Sequence, residues 1–402
     1  RVRSSAASDV YKRQIMNSYF LDALAPLVFR SGKPFGAQSD TDDIQFPLPS
    51  AAAGLVRTQI MRQNGCDWDG KTQGNRAKLS DVQVDELRQI VVQGAFLAKQ
   101  DISDDLKILL PKPANALYLK NKETDQTELV RLAPQAFGSD TAADFPHVDL
   151  LPVQIQSPIK GKPQSGATYW DLADLLAWQN GGKLTHEDVN KRGAQSLPIE
   201  ARTHVSINRE TLAAEDGRLF QTAAYDFAES ARKHHQGWES HRYGFVIRTA
   251  ADLQDNSVVR FGGEGKLSRL NKISDDVFKQ PEYTYTNGLT LTLLTPALFE
   301  KGWLPGWLDS QTLTGTLPHT NLQVKLRATA IDRWLPVSGW DLQQHAPKAM
   351  RKAVSAGAVY WFEIQSGNPA ELAQAQWQAF SDNEQDRRDG FGIGLIAPWQ
   401  SI

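Results

Sequence analysis

Cysteine is almost missing from this chain of 402 residues, in which Cys66 stands alone. A single thiol excludes an intrachain disulfide framework and any multi-cysteine zinc site, and it fits a reducing cytoplasm. Long apolar runs are also lacking. None approaches the ~20 residues that span a bilayer, and no signal-peptide pattern is present. Nor is charge of one sign in excess. With 44 Lys and Arg against 46 Asp and Glu, the formal net charge is −2, which argues against holding nucleic acid by bulk electrostatics. A polyanion would have to be met by local basic loops or with help from partners. The chain has no HExxH, no GxSxG, no GxxxxGK[ST], no paired carboxylates placed on one face and no short-period repeat. Nothing in the pattern specifies a catalytic centre, a metal or a cofactor.

What is there describes an ordinary globular protein, 41 % hydrophobic and 22 % charged, long enough for two or three domains. Its 11 tryptophans are many for this length. Buried, they are core material; on a surface they suggest contact with another protein or with unstacked bases. Residues 1–15, RVRSSAASDVYKRQI, share no periodicity with the rest of the chain and read as a non-native or disordered leader, with a natural basic arm as the alternative.

Strands are expected over Tyr19 to Phe29 and Ile90 to Leu97, with short edge strands at Ile108 to Leu110 and Ala116 to Leu119. A helix is expected from Ser50, as its cap, to Gln63, closed by Asn64-Gly65. Residues 121–166 look like a polar insertion, and Thr168 with Asp171 forms a capping box for a helix bearing Leu172, Leu175 and Leu176. Further strands are expected at Thr203 to Asn208, Arg218 to Tyr225, Arg242 to Thr249, Leu289 to Thr295, Val324 to Ile331, Ala358 to Ile364 and Phe391 to Ala397. Pro296 fits the first turn of a helix in TPALFEKGW, and Pro369 to Phe380 reads as helical with Leu372 and Ala375 inward. Strands broken by single helices favour an α+β fold, divided as 16–198 and 199–402.

Three segments combine glycine with cations. FRSGKPFG (Phe29 to Gly36) places Arg30 and Lys33 beside Gly32 and Gly36, ahead of the small-residue helix FPLPSAAAGLVRT that carries Arg57. Exposed backbone N–H groups and positive side chains there suit a phosphate; a surface turn is the plainer reading. FGGEGKLSRL sets Gly262, Gly263 and Gly265 around Glu264, with Phe261 before and Lys266 after, and it fits either a tight turn or a loop packed against a ribose-phosphate chain. RRDGFGIGLI runs from Arg387 and Arg388 through Gly390, Phe391, Gly392 and Gly394. As a strand it bares its backbone on one face, to another backbone or to RNA, or it makes room for a bulky core neighbour. PKAMRKAV adds Lys348, Arg351 and Lys352, a run that is more often a solvated face than a site. His204 reads as a structural histidine in a strand, His234-His235 suggest no ligand geometry, and Asp42-Asp43 and Asp104-Asp105 read as solvated turns.

In order, FRSGKPFG, FPLPSAAAGLVRT, FGGEG, LLTPALFEKGWLP, SGWDL, AGAVYWFE and GFGIGLI resemble the third Cmr subunit of type III-B CRISPR effector complexes, within the RAMP superfamily, over Tyr19 to Trp399. The resemblance implies two ferredoxin-like (RNA-recognition-motif-like) domains with insertions. It also implies a non-catalytic, cytoplasmic role in antiviral defence: gripping the 5′ repeat-derived handle of the guide RNA (crRNA), docking the large polymerase-like subunit and touching neighbouring backbone subunits. By matching position it nominates Arg30, Ser31, Lys33, the loop Phe261 to Gly265 and the stretch Gly390 to Gly394 as RNA-facing. Gly32, Arg57, Lys266, Lys348, Arg351, Arg387 and Arg388 complete the candidate set. Lys33 departs from the arginine common in this family and would meet phosphate as a point charge rather than a fork. Two alternatives stay open. One is a metal-independent endoribonuclease of the same superfamily using His204 with Arg202 and Tyr243; the other is a free-standing RNA-binding protein.

Overall fold

The computed structural model describes residues 16–30, 44–65, 81–101, 103–140, 143–156, 159–227, 241–341 and 346–400. Cys66, Asp42-Asp43, His234-His235 and the candidate residues Ser31, Gly32 and Lys33 lie outside them.

Period-two alternation builds the first sheet. In β1 (Asn17–Ala23), Tyr19 and Leu21 enter one core while Phe20 enters another; in β2 (Val92–Asp101), Ala95 and Leu97 separate from Phe96 and Ala98 in the same way. With β3 (Leu106–Pro111), β4 (Tyr169–Asp171), β5 (His241–Thr249), β6 (Ser257–Arg260) and β7 (Leu267–Ile273) they form a seven-stranded sheet ordered β6-β7-β1-β5-β2-β3-β4. Every pairing is antiparallel. Leu21 lies opposite Phe245 on one side and Leu270 on the other. The sheets therefore do not divide at 198/199. Strands from 241–273 belong with the N-terminal strand, because only they complete both of its edges.

Helix α1 (Pro49–Gln63) covers one face, burying Ala52, Ala53, Leu55 and Val56 against Tyr19, Leu97 and Phe245. Its small residues permit that close approach. Ser50 is not its cap. Leu48 holds the N-cap position with no side-chain hydrogen bond and Pro49 occupies the first turn, where its missing N–H costs nothing. Helix α2 (Asp81–Gln89) comes next. Asp171 caps α3 (Leu172–Gln179) by accepting from the Ala173 N–H, whereas the Thr168 hydroxyl donates to the carbonyls of Ala194 and Gln195.

The second sheet takes β8 (Gly288–Leu293), β9 (Thr314–Thr316), β10 (Gln323–Ala330), β11 (Val359–Ser366), β12 (Gln378–Ala379) and β13 (Ile393–Trp399), antiparallel in the order β9-β10-β11-β8-β13-β12. Leu289, Leu291, Val324, Leu326, Tyr360, Phe362 and Ile396 fill its core. Leu372 and Ala375 turn inward as expected, on a 3₁₀ turn. TPALFEKGW is not helical: Ala297 and Val354 exchange backbone hydrogen bonds of 3.0 and 2.8 Å, and Gly302 turns the chain at φ +76°. A bridge to a distant strand outweighs the local preference.

A third core joins the halves. Phe20, Phe96 and Val246 of the first sheet pack against Trp377, Ile393 and Leu395 of the second, and Gln93 donates to the Trp377 carbonyl at 2.8 Å. Two elaborations leave this body. The expected insertion is a four-stranded antiparallel sheet formed by Ala116–Asn121, Thr127–Pro134, Val153–Ile155 and Gly161–Pro163. A long hairpin, Ile199–Ile207 with Ala214–Tyr225, returns to the first sheet where Tyr225 and Leu27 exchange hydrogen bonds of 2.9 and 2.8 Å. The architecture is mixed α/β with several antiparallel sheets, and no helix among the described residues is long and apolar enough to cross a membrane.

Candidate nucleic-acid interface

Phe29 and Arg30, which begin FRSGKPFG, are neighbours of the FGGEG turn, far away in sequence. Both stems of the loop are pinned from below. Phe29 and Phe46 stand edge-on to Phe245 at 6.0 and 5.5 Å between ring centroids, and the Gln45 N–H donates to the Phe29 carbonyl at 3.2 Å. Phe261, almost fully buried, joins the same aromatic floor 5.0 Å from Phe29. Edge-to-face rings of this kind add about 0.5–1.5 kcal/mol per pair beyond their burial.

From that floor the FGGEG turn rises to the surface. Gly263 donates to the Val28 carbonyl at 2.8 Å, and a Cβ on Gly262 (φ +86°) would lie 2.7 Å from the same oxygen. Only glycine lets the turn approach this closely. Gly262 to Gly265 are all exposed. Glu264 meets Arg30 at 3.3 Å, with side chains 41 % and 48 % exposed, and Lys266 at 3.6 Å. One carboxylate thus stands between two cations beside bare main chain. At this exposure the pairs contribute little to stability, so a phosphate could replace Glu264 as their partner at small cost.

The hairpin base lies alongside. Tyr225 and Phe227 extend the aromatic floor, with Phe227 5.3 Å from Phe245. Burial pushes the Tyr225 hydroxyl up to about 12 and raises that of Tyr243, so neither is a proton acceptor near neutral pH. His204 shares a 2.9 Å hydrogen bond with Thr222, and Arg202 holds Glu200 at 2.9 Å. Of the three residues named for a nuclease, Arg202 and His204 lie on the exposed hairpin and Tyr243 in the core. Among the described residues no group of three or more His, Cys, Asp or Glu is placed to hold a metal ion.

The other glycine-rich segment is placed differently. Gly390, Phe391, Gly392 and Gly394 are buried. A Cβ on Gly390 (φ +90°) would meet the Val92 carbonyl oxygen at 2.7 Å, one on Gly392 the Ser381 hydroxyl at 2.7 Å, and one on Gly394 the Leu291 side chain at 2.5 Å. The bare face takes another backbone, at Val92 to Gly94, and bulky core neighbours, Leu291 and Phe380, both from this chain. Phe391 is equally enclosed, packing with Leu298, Val337 and Ala353.

The surrounding cations are engaged too. Arg57 bridges the Leu87 carbonyl and Asp389, and Arg351 holds Asp386 through two bonds of 2.7 and 2.8 Å. Arg387 donates to the carbonyls of Ser381 and Asp382, while Arg388 pairs with Glu384 at 2.6 Å. These four are structural ties around the short helix α4 (Glu384–Arg388). Lys348 stays exposed on a separate hairpin. Of the described candidates, then, the fold brings together Arg30, Phe261 to Gly265 and Lys266, and withdraws the rest of the arginine and glycine set except Lys348. Phe46, Phe227 and Phe245 were not singled out from the sequence. The phenylalanines that begin FRSGKPFG and FPLPS were the available signal, since they are the paired stems of one loop.

A family model described as "CRISPR-associated protein (Cas_Cmr3)" matches residues 19–399. No curated protein matches the chain. Among solved structures it is similar to a chain in the cryo-EM structure of the Type III-B Cmr-beta bound to cognate target RNA and AMPPnP, state 1, at 14 % identity and TM-score 0.44 over 86 % of each chain. A second, the Type III-B Cmr-beta bound to cognate target RNA, gives 14 % identity and TM-score 0.43 over 89 % of this chain and 94 % of that one. On the family match, the chain belongs to the CRISPR-associated Cas_Cmr3 family.

Proposed function

We propose that this member of the family is a non-catalytic subunit of a type III-B CRISPR effector complex that holds the repeat-derived 5′ end of the guide RNA and docks the large polymerase-like subunit. One observation carries the reading: the exposed main chain of Gly262 to Gly265 lies against the stem of a cationic loop, with Arg30 and Lys266 on either side of a displaceable carboxylate. Exposed glycyl N–H groups and paired cations suit an RNA backbone and supply no general base.

Strand order supports the architecture that goes with it. In the first sheet the strands β7-β1-β5-β2 stand, by chain order among these four, as 4-1-3-2, and in the second sheet β13-β8-β11-β10 stand the same way. That is the order of a ferredoxin-like unit. Read so, each half is one such unit with insertions, and the first is completed only by residues 241–273.

Binding of a single-stranded RNA of repeat sequence tests the reading. If about four phosphate contacts carry the affinity, it should fall roughly fifty-fold between about 50 and 200 mM salt. A flat salt response would sink it. Site-specific cleavage of repeat RNA by the purified chain, lost in His204→Ala, would establish the nuclease in its place.

A further inference from the structure

A tryptophan outside all of these motifs stands on the surface. Trp334 opens the strand Trp334–Val337, which pairs with Arg351–Val354, and it is 57 % exposed. The hairpin has two unlike faces. Leu335, Val337 and Ala353 turn inward to Phe391 and Leu48; the other face carries buried Pro336 and Val354 beside exposed Trp334 and Lys352, with the Lys352 ammonium 5.3 Å from the ring centroid. Burying an indole would stabilise the chain, as it does for other large apolar side chains. Here the fold leaves that gain untaken and sets Lys352 against the ring.

Arg333, Lys348 and Lys352 are exposed, and among the described residues none is paired with a carboxylate. Arg351, by contrast, is held by Asp386. Lys348 lies apart, against Ser338 and Gly339, so the cations near Trp334 are Lys352 and Arg333, with Asp332 exposed beside the latter. Protein-binding hot spots favour tryptophan but are depleted in lysine. Single-stranded nucleic acid is met by this pairing: a ring on which a base stacks and flanking cations that track the phosphates.

We propose that Trp334, with Lys352 against its ring and Arg333 next to it in the chain, is a stacking platform for one base of a single-stranded RNA. This rests on the RNA-binding function for its class of ligand, but on a different hairpin. The Lys352 ammonium already lies beside the ring, and a base laid on the indole gains both the stack and the neighbouring charge.

The test uses the full-length chain and a fluorescein-labelled single-stranded RNA of repeat sequence, read by anisotropy. Trp334→Ala should weaken binding by about five- to 150-fold, the range for one base–aromatic stack, while Trp334→Phe stays within a few-fold of the parent. Lys352→Gln should make the salt dependence shallower by about 0.7 in log–log slope. Circular dichroism and the thermal midpoint should not move, because the ring is at the surface. Trp334→Ala binding RNA like the parent would overturn the proposal, as would a variant that keeps its RNA affinity but loses a co-purifying protein. Lys266→Gln, measured alongside, separates the two readings. Loss in Lys266→Gln alone leaves the turn standing and removes the platform; loss in Trp334→Ala alone does the reverse.

Discussion

Two glycine-rich segments, FGGEGK and RRDGFGIG, share one composition and meet opposite fates. Around Gly262 to Gly265 the main chain faces solvent with Arg30 and Lys266 at its rim. Around Gly390 to Gly394 it is sealed between the two sheets, and its arginines are tied down. The difference lies in the acids. The first segment carries Glu264 alone, whereas the second is interleaved with Glu384, Asp386 and Asp389, which pair with Arg388, Arg351 and Arg57 in turn. The cations beside the first segment share one exposed carboxylate, whereas those around the second each have an acid of their own or, for Arg387, two backbone carbonyls.

The sharpest way to break this comparison is to put a methyl group on each kind of glycine. Gly390→Ala should cost about 2–5 kcal/mol, because strain at φ +90° adds to a 2.7 Å clash with the Val92 carbonyl. Gly265→Ala, at φ +66° but with open space around it, should cost only about 1–2 kcal/mol. Chemical denaturation reads both; equal costs would mean the two segments are not differently packed.

Next in size are the arginines. Composition alone suggests that Arg387→Ala with Arg388→Ala leaves stability within about 0.5 kcal/mol, as for surface changes. Because the Arg387 guanidinium satisfies the carbonyls of Ser381 and Asp382, the pair should instead lose about 1–3 kcal/mol. Arg30→Ala with Lys266→Ala should leave the unfolding midpoint in place, weaken RNA binding, and reduce the salt slope by about 1.4, or ~0.7 per phosphate contact. If the order reverses, with stability falling in the second pair and RNA affinity in the first, the roles have been assigned the wrong way round.

The smallest expected effect is the most pointed. Glu264→Gln removes the carboxylate that occupies both cations. RNA affinity should rise a few-fold with little change in stability, since exposed ion pairs contribute at most about 1 kcal/mol. A drop in affinity would show that Glu264 orders the turn rather than occupying its site.

How far this could be read in advance depended on range. Local patterns were legible: the small-residue stripe Ala52, Ala53 and Val56 on its helix, the alternation in the strands around Phe96 and Phe245, and the inward turn of Leu372 and Ala375. What failed was decided at a distance. The sheet partners of Leu21 lie beyond residue 240, so no local window could assign the FGGEG turn to the first sheet. Ala297 bridges to Val354 and abolishes an expected helix. The glycine spacing of Gly390 to Gly394 was visible, but the Val92 backbone that fills it was not.

The position of β1 has a consequence for the birth of the protein. Its two neighbours, β5 and β7, are translated only after β2, β3 and β4. A nascent chain on the ribosome therefore carries Asn17–Ala23 with both edges unsatisfied until residues 241–273 have emerged. Edges left unpaired in this way invite aggregation until their partners arrive.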